Sequence, residues 1–285
     1  MKLAAVVVLY NPNDKIFENI KSYIDYVDTV YAVDNSSADH SHKLTDEKIV
    51  YLPNHENLGI AFALNRGAKQ AIADGFEWLL TMDQDSSFSD DGVQRMKDFL
   101  TCCKQDENSK YSYEKIGLIT PFHRMITNTH EKLEQIDSPA VVMTSGNIIN
   151  LKAYSQIGGF KDWMFIDAVD FDYCLNLRDH GFDIWRLPEV ELKHNLGDVV
   201  FKTFMGKTYF GSNHSPMRRY YIVRNRHYFC DMYEKKFPDY CYAERRCTKA
   251  EVKGILICEK QKLKKLFAMF KGYIDYKRGV KGEKS

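Results

Sequence analysis

The sequence has almost no net charge: its 285 residues carry 40 lysines and arginines against 39 acidic residues, a formal +1. No long-range field is available to recruit a polyanion such as nucleic acid, so any anion site has to be a local cluster. A long apolar run is also missing. Residues 3–10 are apolar but stop at Asn11-Pro12, too short for a membrane span and without a signal-peptide cleavage region, so they read as a buried strand. The seven cysteines (Cys102, Cys103, Cys174, Cys230, Cys241, Cys247, Cys258) are odd in number and include no Cys-x-x-Cys pair. This argues against a disulfide framework and fits a reducing cytosol. There is no internal repeat and no low-complexity tract. What remains is a chain that is 44% hydrophobic, enough for one large α/β domain with an appendage or for two modest domains.

Short continuous apolar runs alternate with segments of helical period, the pattern of parallel strands covered by helices on both faces. Strands are expected at residues 3–10, 30–34, 49–52 and 78–82, with helices at 16–27 and 59–74. The first, second and fourth strands run into polar clusters at Tyr10-Asn11, Asp34-Asn35-Ser36-Ser37 and Asp83-Gln84-Asp85. In open α/β sheets ligands bind outside the carboxyl ends of the strands, so these clusters should converge on one crevice. Residues 104–114 are polar and read as a loop. Further strands are expected at 116–120, 141–150, 184–187 and 190–194, and a helix at 170–180 closed by Gly181. After about residue 204 arginine, lysine, tyrosine and phenylalanine dominate, as in Arg218-Arg219-Tyr220-Tyr221 and Arg224-Asn225-Arg226, which reads as a helical extension.

Asp83 and Asp85 stand one residue apart after an apolar strand, so both carboxylates can point to one side and offer hard oxygens to Mg²⁺ or Mn²⁺. A diphosphate needs such an ion. Asp-x-Asp also occurs as a solvated turn, and its strand-end position is what favours the metal reading here.

In these stretches and those that accompany them, the sequence resembles the inverting glycosyltransferases of family 2, which have the GT-A fold, and especially their rhamnosyltransferase and galactofuranosyltransferase branch. The matching stretches are Val8-Leu9-Tyr10-Asn11-Pro12, Val33-Asp34-Asn35-Ser36-Ser37, Asn57-Leu58-Gly59-Ile60-Ala61, Asn65-Arg66-Gly67, Met82-Asp83-Gln84-Asp85-Ser86, Ser145-Gly146-Asn147, Gly158-Gly159-Phe160, Phe165-Ile166-Asp167 and residues 170–178. They run in family order over about the first 200 residues. The resemblance implies an α/β GT-A catalytic domain over residues 1–204, a Rossmann-like nucleotide-binding sheet flanked by helices. Its nucleotide-sugar half is about 1–115 and its acceptor half about 116–204. Residues 205–285 form the helical, basic-aromatic extension.

The same resemblance implies that Asp34 receives the nucleobase edge and that Tyr10, Asn11 and Pro12 line the base and ribose pocket with Asn35. Asn57, Gly59 and Arg66 close over the nucleotide, and Asp83 and Gln84 border it. Asp83, Asp85 and His194 are the implied ligands of Mn²⁺ or Mg²⁺, with Asp83 alternatively on the ribose or a metal-bound water. Ser145 and Gly146 are assigned to the donor-sugar or acceptor side. Asp170 is the implied general base of a single displacement, and because Phe171-Asp172 stands where the family commonly has Glu-Asp, Asp172 is the alternative. Trp163 and Phe165 form either an acceptor platform or core. From the residues alone, Asp34 equally suits an Asx turn, Arg66 an exposed ion pair, and the two aspartates a helix N-terminus.

The donor implied is dTDP-rhamnose, with UDP-galactofuranose, UDP-galactose, UDP-glucose or UDP-GlcNAc behind it. The acceptor is a glycan or a lipid-pyrophosphate-linked glycan of bacterial cell-surface polysaccharide synthesis. Arg218, Arg219, Arg224, Arg226, Lys262, Lys264, Lys265 and Lys271 interleave with aromatic and aliphatic residues, which suits either the anionic inner leaflet of the plasma membrane or a helical subdomain that packs on the catalytic domain or forms a homodimer. A cytoplasmic, peripheral protein is expected. A nucleotidyltransferase is disfavoured because residues 10–18 hold no glycine or arginine for a triphosphate loop. A processive synthase is disfavoured by the lack of membrane helices and of Gln-x-x-Arg-Trp. A non-catalytic nucleotide-sugar-binding scaffold on the same fold stays open.

Overall fold

The computed structural model describes residues 1–106, 108–124, 133–193, 199–204 and 206–284. The chain divides into two compact units, Met1–Asp162 with Tyr173–Asn195, and Trp163–Asp172 with Leu196–Ser285.

The first unit is built on an eight-stranded sheet. Its strands are β1 Leu3–Leu9, β2 Thr29–Asp34, β3 Ile49–Pro53, β4 Trp78–Asp83, β5 Ser87–Phe88, β6 Ile116–Arg124, β7 Asn147–Asn150 and β8 Asp183–Lys193, in the order β3-β2-β1-β4-β7-β6-β8-β5. The four strands β3-β2-β1-β4 are parallel, β7 is antiparallel to both of its neighbours, and β6 pairs parallel with β8. Helices α1 Ile16–Lys21, α2 Ile60–Ala73, α3 Gly92–Gln105 and α4 Leu151–Ile157 belong to this unit, as does all but the first turn of α5 Val169–Asp179. Leu3, Ala5, Val7 and Leu9 on one face of β1 join a core with Ile16, Ile20 and Tyr23, and with Val93, Met96 and Leu100 of α3. On the other face Val6 meets α2, where a Cβ at Gly67 would lie 2.3 Å from its methyl. Burial on both faces is why these strands read as unbroken apolar runs.

Several expected elements differ in detail. The helix expected at 16–27 ends at Lys21, and a 3₁₀ turn, Ile24–Tyr26, follows fully buried Tyr23. The strand expected at 141–150 is confined to Asn147–Asn150, because Gly146 takes φ +84° and donates its N–H to Thr81 O instead of extending the ladder. The two short strands expected at 184–187 and 190–194 are one strand, β8. It bulges where Leu187 pairs with Pro121 and Glu191 with Phe122, since Pro121 and Pro188 have no N–H to give. Helix α3 was not anticipated, although Val93, Met96, Leu100 and Cys103 mark its buried face.

In the second unit, an antiparallel hairpin of β9 Val200–Phe204 and β10 Lys207–Gly211 precedes α6 Pro216–Tyr233, α7 Pro238–Cys258 and α8 Lys262–Lys277. The extension is therefore helical as expected, with a hairpin at its start. Ser215 caps α6 by accepting from Arg218 N. Helices α6 and α8 touch backbone to backbone: a Cβ at Gly272 would lie 2.4 Å from Tyr220 O. Glu259, buried, accepts from Arg219 at 2.6 Å and from Lys265 at 2.7 Å. Burial raises the Glu259 carboxyl, but the two cations outweigh it and hold it below the ordinary range. The sequence left Arg218, Arg219, Arg224, Arg226 and Lys265 open between a lipid-facing surface and a packing surface, and for these five the structure shows packing and ion pairs. Arg219, Arg224 and Lys265 are buried, Arg226 pairs with Glu244 and Glu251, and Arg218 pairs with Asp167.

Candidate active site

The carboxyl ends of β1 to β4 form one edge of the first sheet, because the ladder pairs Leu9 with Asp34, Val8 with Asp83 and Asp34 with Pro53. Gln84, the middle residue of the acidic motif, ties two of these ends together. Its Oε1 accepts from Tyr10 N at 2.8 Å and its Nε2 donates to Tyr10 O at 3.1 Å, while Asn19 Nδ2 donates to Gln84 O at 2.8 Å. Tyr10 itself is exposed, and Pro12 is buried, with its carbonyl taken by Lys43.

Asp34 is fully buried. Its Oδ1 accepts from Ser36 N at 2.8 Å and Ser36 Oγ at 2.5 Å, and its Oδ2 from His40 Nδ1 and Tyr51 OH, each at 2.8 Å. Burial works against its charge, but the bonds from Ser36, His40 and Tyr51 prevail and hold the carboxyl below the usual range. Burial and the nearby Asp34 carboxylate push the Tyr51 phenol up to about 12. A carboxylate has about four acceptor sites, and the protein fills that number on Asp34. Ser36 Oγ also accepts from Asn11 N at 2.7 Å, with Asn11 at φ +45°.

Asn35 braces three segments: its N–H reaches Leu9 O, its Nδ2 donates to Gly59 O at 3.0 Å, and its Oδ1 accepts from Asn54 at 2.7 Å. Asn57 Oδ1 accepts from Gly59 N at 3.1 Å in an Asx turn that leads into α2. Arg66 Nη1 donates to Pro53 O at 2.9 Å and to Asn54 Oδ1, so this guanidinium holds the end of β3.

Beside the acidic motif, Asp83 N donates to Ser145 Oγ at 3.0 Å, which brings Ser145 and Gly146 to the end of β4. His123 on β6, buried, donates from Nε2 to Ser145 O at 2.7 Å. Asp85 is exposed and Asp83 partly so. Among the described residues no three His, Cys, Asp or Glu side chains are grouped to hold a metal, and His194 lies outside the described residues.

Trp163, Phe165, Asp170 and Asp172, expected on the acceptor side, fall in the second unit. Phe165 is core: it is buried and stacks on Tyr221 with centroids 5.1 Å apart. Trp163 is partly buried and meets Tyr228 edge-on at 5.3 Å, with Lys281 Nζ 4.8 Å from its ring. Asp172 is fully buried, and its Oδ1 accepts from Tyr233 OH at 3.0 Å. Asp170 is partly exposed, and its Oδ1 accepts from Phe171 N at 3.0 Å.

The sequence reading gave no role to His40, Tyr51, Asn19 or His123. Tyr51 was readable in principle, because the register that pairs Ala32 with Tyr51 sets it diagonal to Asp34 on one face. His40 lies on an irregular segment whose path no spacing rule supplies.

A mixed sheet with this order, flanked by helices and ending its parallel strands in these polar clusters, is a GT-A sheet. Residues 4–102 match the family model described as Glycosyl transferase family 2, and over this part the chain is similar to the glycosyltransferases of that family. A similar protein is the dTDP-rhamnosyl transferase RfbF of Shigella flexneri, 29% identical over 247 residues that cover 78% of this chain and 77% of that protein. Among solved structures, GalNAc-T7 with UDP, GalNAc and Mn²⁺ superposes with a TM-score of 0.59 at 12% identity, over 98% of this chain and 57% of that one. TarS 1-349 of S. aureus in complex with UDP-GlcNAc superposes with a TM-score of 0.56 at 13% identity, over 98% and 92%. The chain thus spans little more than half of GalNAc-T7, and at these identities both structures speak to the fold alone.

Proposed function

We propose that the protein transfers rhamnose from dTDP-rhamnose, with inversion, to a glycan or lipid-linked acceptor in bacterial cell-surface polysaccharide synthesis. The observation that carries the nucleotide-sugar reading is the Gln84 tie, which joins exposed Tyr10 to the Asp83-Asp85 loop at one sheet edge. The likeness to a rhamnosyl transferase supports the sugar. On this reading the Tyr10 ring and the Asp34-Asn35 turn receive the base and ribose, while Asn57, Gly59 and Arg66 close the nucleotide side. Ser145 and Gly146 border the sugar.

The donor set suits a hard divalent ion, Mn²⁺ or Mg²⁺. Asp83 and Asp85 are two carboxylates at i and i+2 whose loop is fixed by Ser145, and such ions take one or two carboxylates together with substrate phosphates and water. Asp83, Asp85 and His194 would hold it. When bound, the ion neutralises the charge that grows on the diphosphate leaving group. In the displacement the acceptor oxygen forms its bond to the anomeric carbon as the bond to the diphosphate breaks, and the acceptor proton passes to a carboxylate. The partial exposure of Asp170, against fully buried Asp172, supports Asp170 as that base.

The test is a donor panel of dTDP-rhamnose, UDP-galactofuranose, UDP-galactose, UDP-glucose and UDP-GlcNAc, with and without Mn²⁺, scored by donor hydrolysis and by transfer to lipid-linked glycans. Turnover of dTDP-rhamnose above the rest is expected. Preference for a UDP-sugar overturns the donor, metal-independent turnover overturns the ion, and binding without turnover on any acceptor leaves a nucleotide-sugar-binding scaffold.

We place this reaction at a cytoplasmic membrane surface. No helix among the described residues is long and apolar enough to cross a membrane. Helix α8, however, exposes Leu263 (84%), Phe267 (69%) and Phe270 (62%) at positions i, i+4 and i+7. Lys260, Lys262, Lys264, Lys271 and Lys277 accompany them, and the one carboxylate of α8, Asp275, is buried against Tyr220. An anionic lipid surface complements such a face, at about 1 kcal/mol per lysine near the surface, whereas a two-fold dimer would set these lysines against themselves.

A further inference from the structure

Residues 163–168 lead into α5 and Asp170, and their backbone is unusual. Phe165, Asp167 and Ala168 all have positive φ, +66°, +64° and +62°, though none is glycine. Left-handed backbone at non-glycine residues persists only where the surroundings over-determine it.

Helix α6 supplies that determination. Asn225 is fully buried, and its Nδ2 donates to Met164 O at 2.7 Å, Ile166 O at 2.7 Å and Asp167 O at 3.0 Å. Its Oδ1 accepts from Arg224 Nε at 3.0 Å, which fixes the orientation of the amide. Arg224, also fully buried, donates from Nη2 to Trp163 O at 3.2 Å and from Nη1 to Gly282 O at 2.6 Å. Gly282 N in turn donates to Trp163 O at 2.8 Å. Arg218 pairs with the Asp167 carboxylate at 3.1 Å, Tyr221 stacks on Phe165, and Tyr233 holds Asp172. One helix therefore grips the whole segment, and the carbonyls of its turn are satisfied by side chains rather than by a ladder.

We propose that α6 is the positioning element for the acceptor-side carboxylate, with Asn225 as the residue that holds the left-handed turn before Asp170 in place. This rests on the reading of Asp170 as the base. Asn225 acts through the turn and not by contact with donor or acceptor. An aspartate there would oppose a carboxylate to three carbonyls, and a serine offers one donor for three acceptors.

The experiment uses the full-length protein and compares kcat, donor KM and dTDP affinity in Asn225→Ser, Asp170→Asn and the double variant Asn225→Ser with Ala168→Gly. Asn225→Ser should lower kcat about 100-fold, the scale of a displacement of about 1 Å in a reacting group, with donor KM and dTDP affinity unchanged. Glycine adopts positive φ without strain, so the double variant should regain roughly tenfold of that loss. A fault of packing alone would not be repaired by removing a methyl group from the turn. Should Asn225→Ser fail to fold, Arg218→Gln removes a tether of the same turn at a partly exposed side chain and should show the same split between kcat and KM. Wild-type kcat in a folded Asn225→Ser, or no rescue by Ala168→Gly, overturns the proposal while leaving the base assignment intact if Asp170→Asn is inactive. Full turnover in Asp170→Asn overturns the base assignment, and the positioning role with it.

Discussion

At the edge of the first unit, Asp34 and Asp83 are the last residues of parallel strands, and Tyr10 is the residue just past one, so backbone ladders set their places. In the second unit the turn at 163–168 has no ladder, and its carbonyls rest on two buried side chains of α6, Asn225 and Arg224. The first arrangement distributes its support over many weak, equivalent bonds, whereas the second concentrates support in a few side chains that a single substitution can remove. Loss of one side chain at the sheet edge should therefore be graded in effect, and loss of one in the second unit abrupt.

Four experiments would break or sharpen that contrast. The largest effect is expected for Asp170→Asn, which should lower kcat by about 10²–10⁴ with dTDP affinity retained; isothermal titration beside a transfer assay reads both. Next, Glu259→Gln leaves Arg219 and Lys265 buried without a counter-charge. It should destabilise the protein by about 3–5 kcal/mol, read as a lower urea midpoint. A loss under 1 kcal/mol would show that support in the second unit is as distributed as in the first.

Tyr51→Phe, at the sheet edge, removes one donor to the Asp34 carboxylate and should cost about 1.5–3 kcal/mol at neutral pH. The sign with pH follows from the lowered pKa. Asp34 contributes stability above its unfolded value, near 3.9, and loses it as pH falls through the folded value. The gap between wild type and variant should therefore begin to close as pH falls below about 4 and vanish only below the lowered folded value of Asp34, and a gap that does not narrow in acid would assign the loss to packing. The smallest effect on the folded state belongs to Phe267→Glu, within about 0.5 kcal/mol. It should nonetheless weaken flotation with anionic vesicles several-fold while sparing turnover of a water-soluble acceptor; unchanged flotation would remove the lipid role of α8.

The contrast also explains what could be read from sequence. Asp34, Asp83 and Asp85 were legible because strands buried on both faces leave unbroken apolar runs, and the residue after each run is the residue at the edge. The turn at 163–168 left no such trace, since positive φ at Phe165, Asp167 and Ala168 comes from tertiary bonds rather than from local preference. Val141-Val142-Met143 misled in the opposite direction, an apolar run that packs without pairing as a strand. Whether the arginines of α6 face outward or pack was left open by the sequence, because periodicity records spacing, not the carboxylates and carbonyls that receive them.

Gln84 gives the acidic motif a property that its two carboxylates lack. Because its amide both accepts from and donates to the backbone of Tyr10, the loop that would carry an ion and the strand end that would carry a base behave as one lever. Any coupling carried through this amide would be reciprocal, each ligand changing its companion's affinity by the same factor.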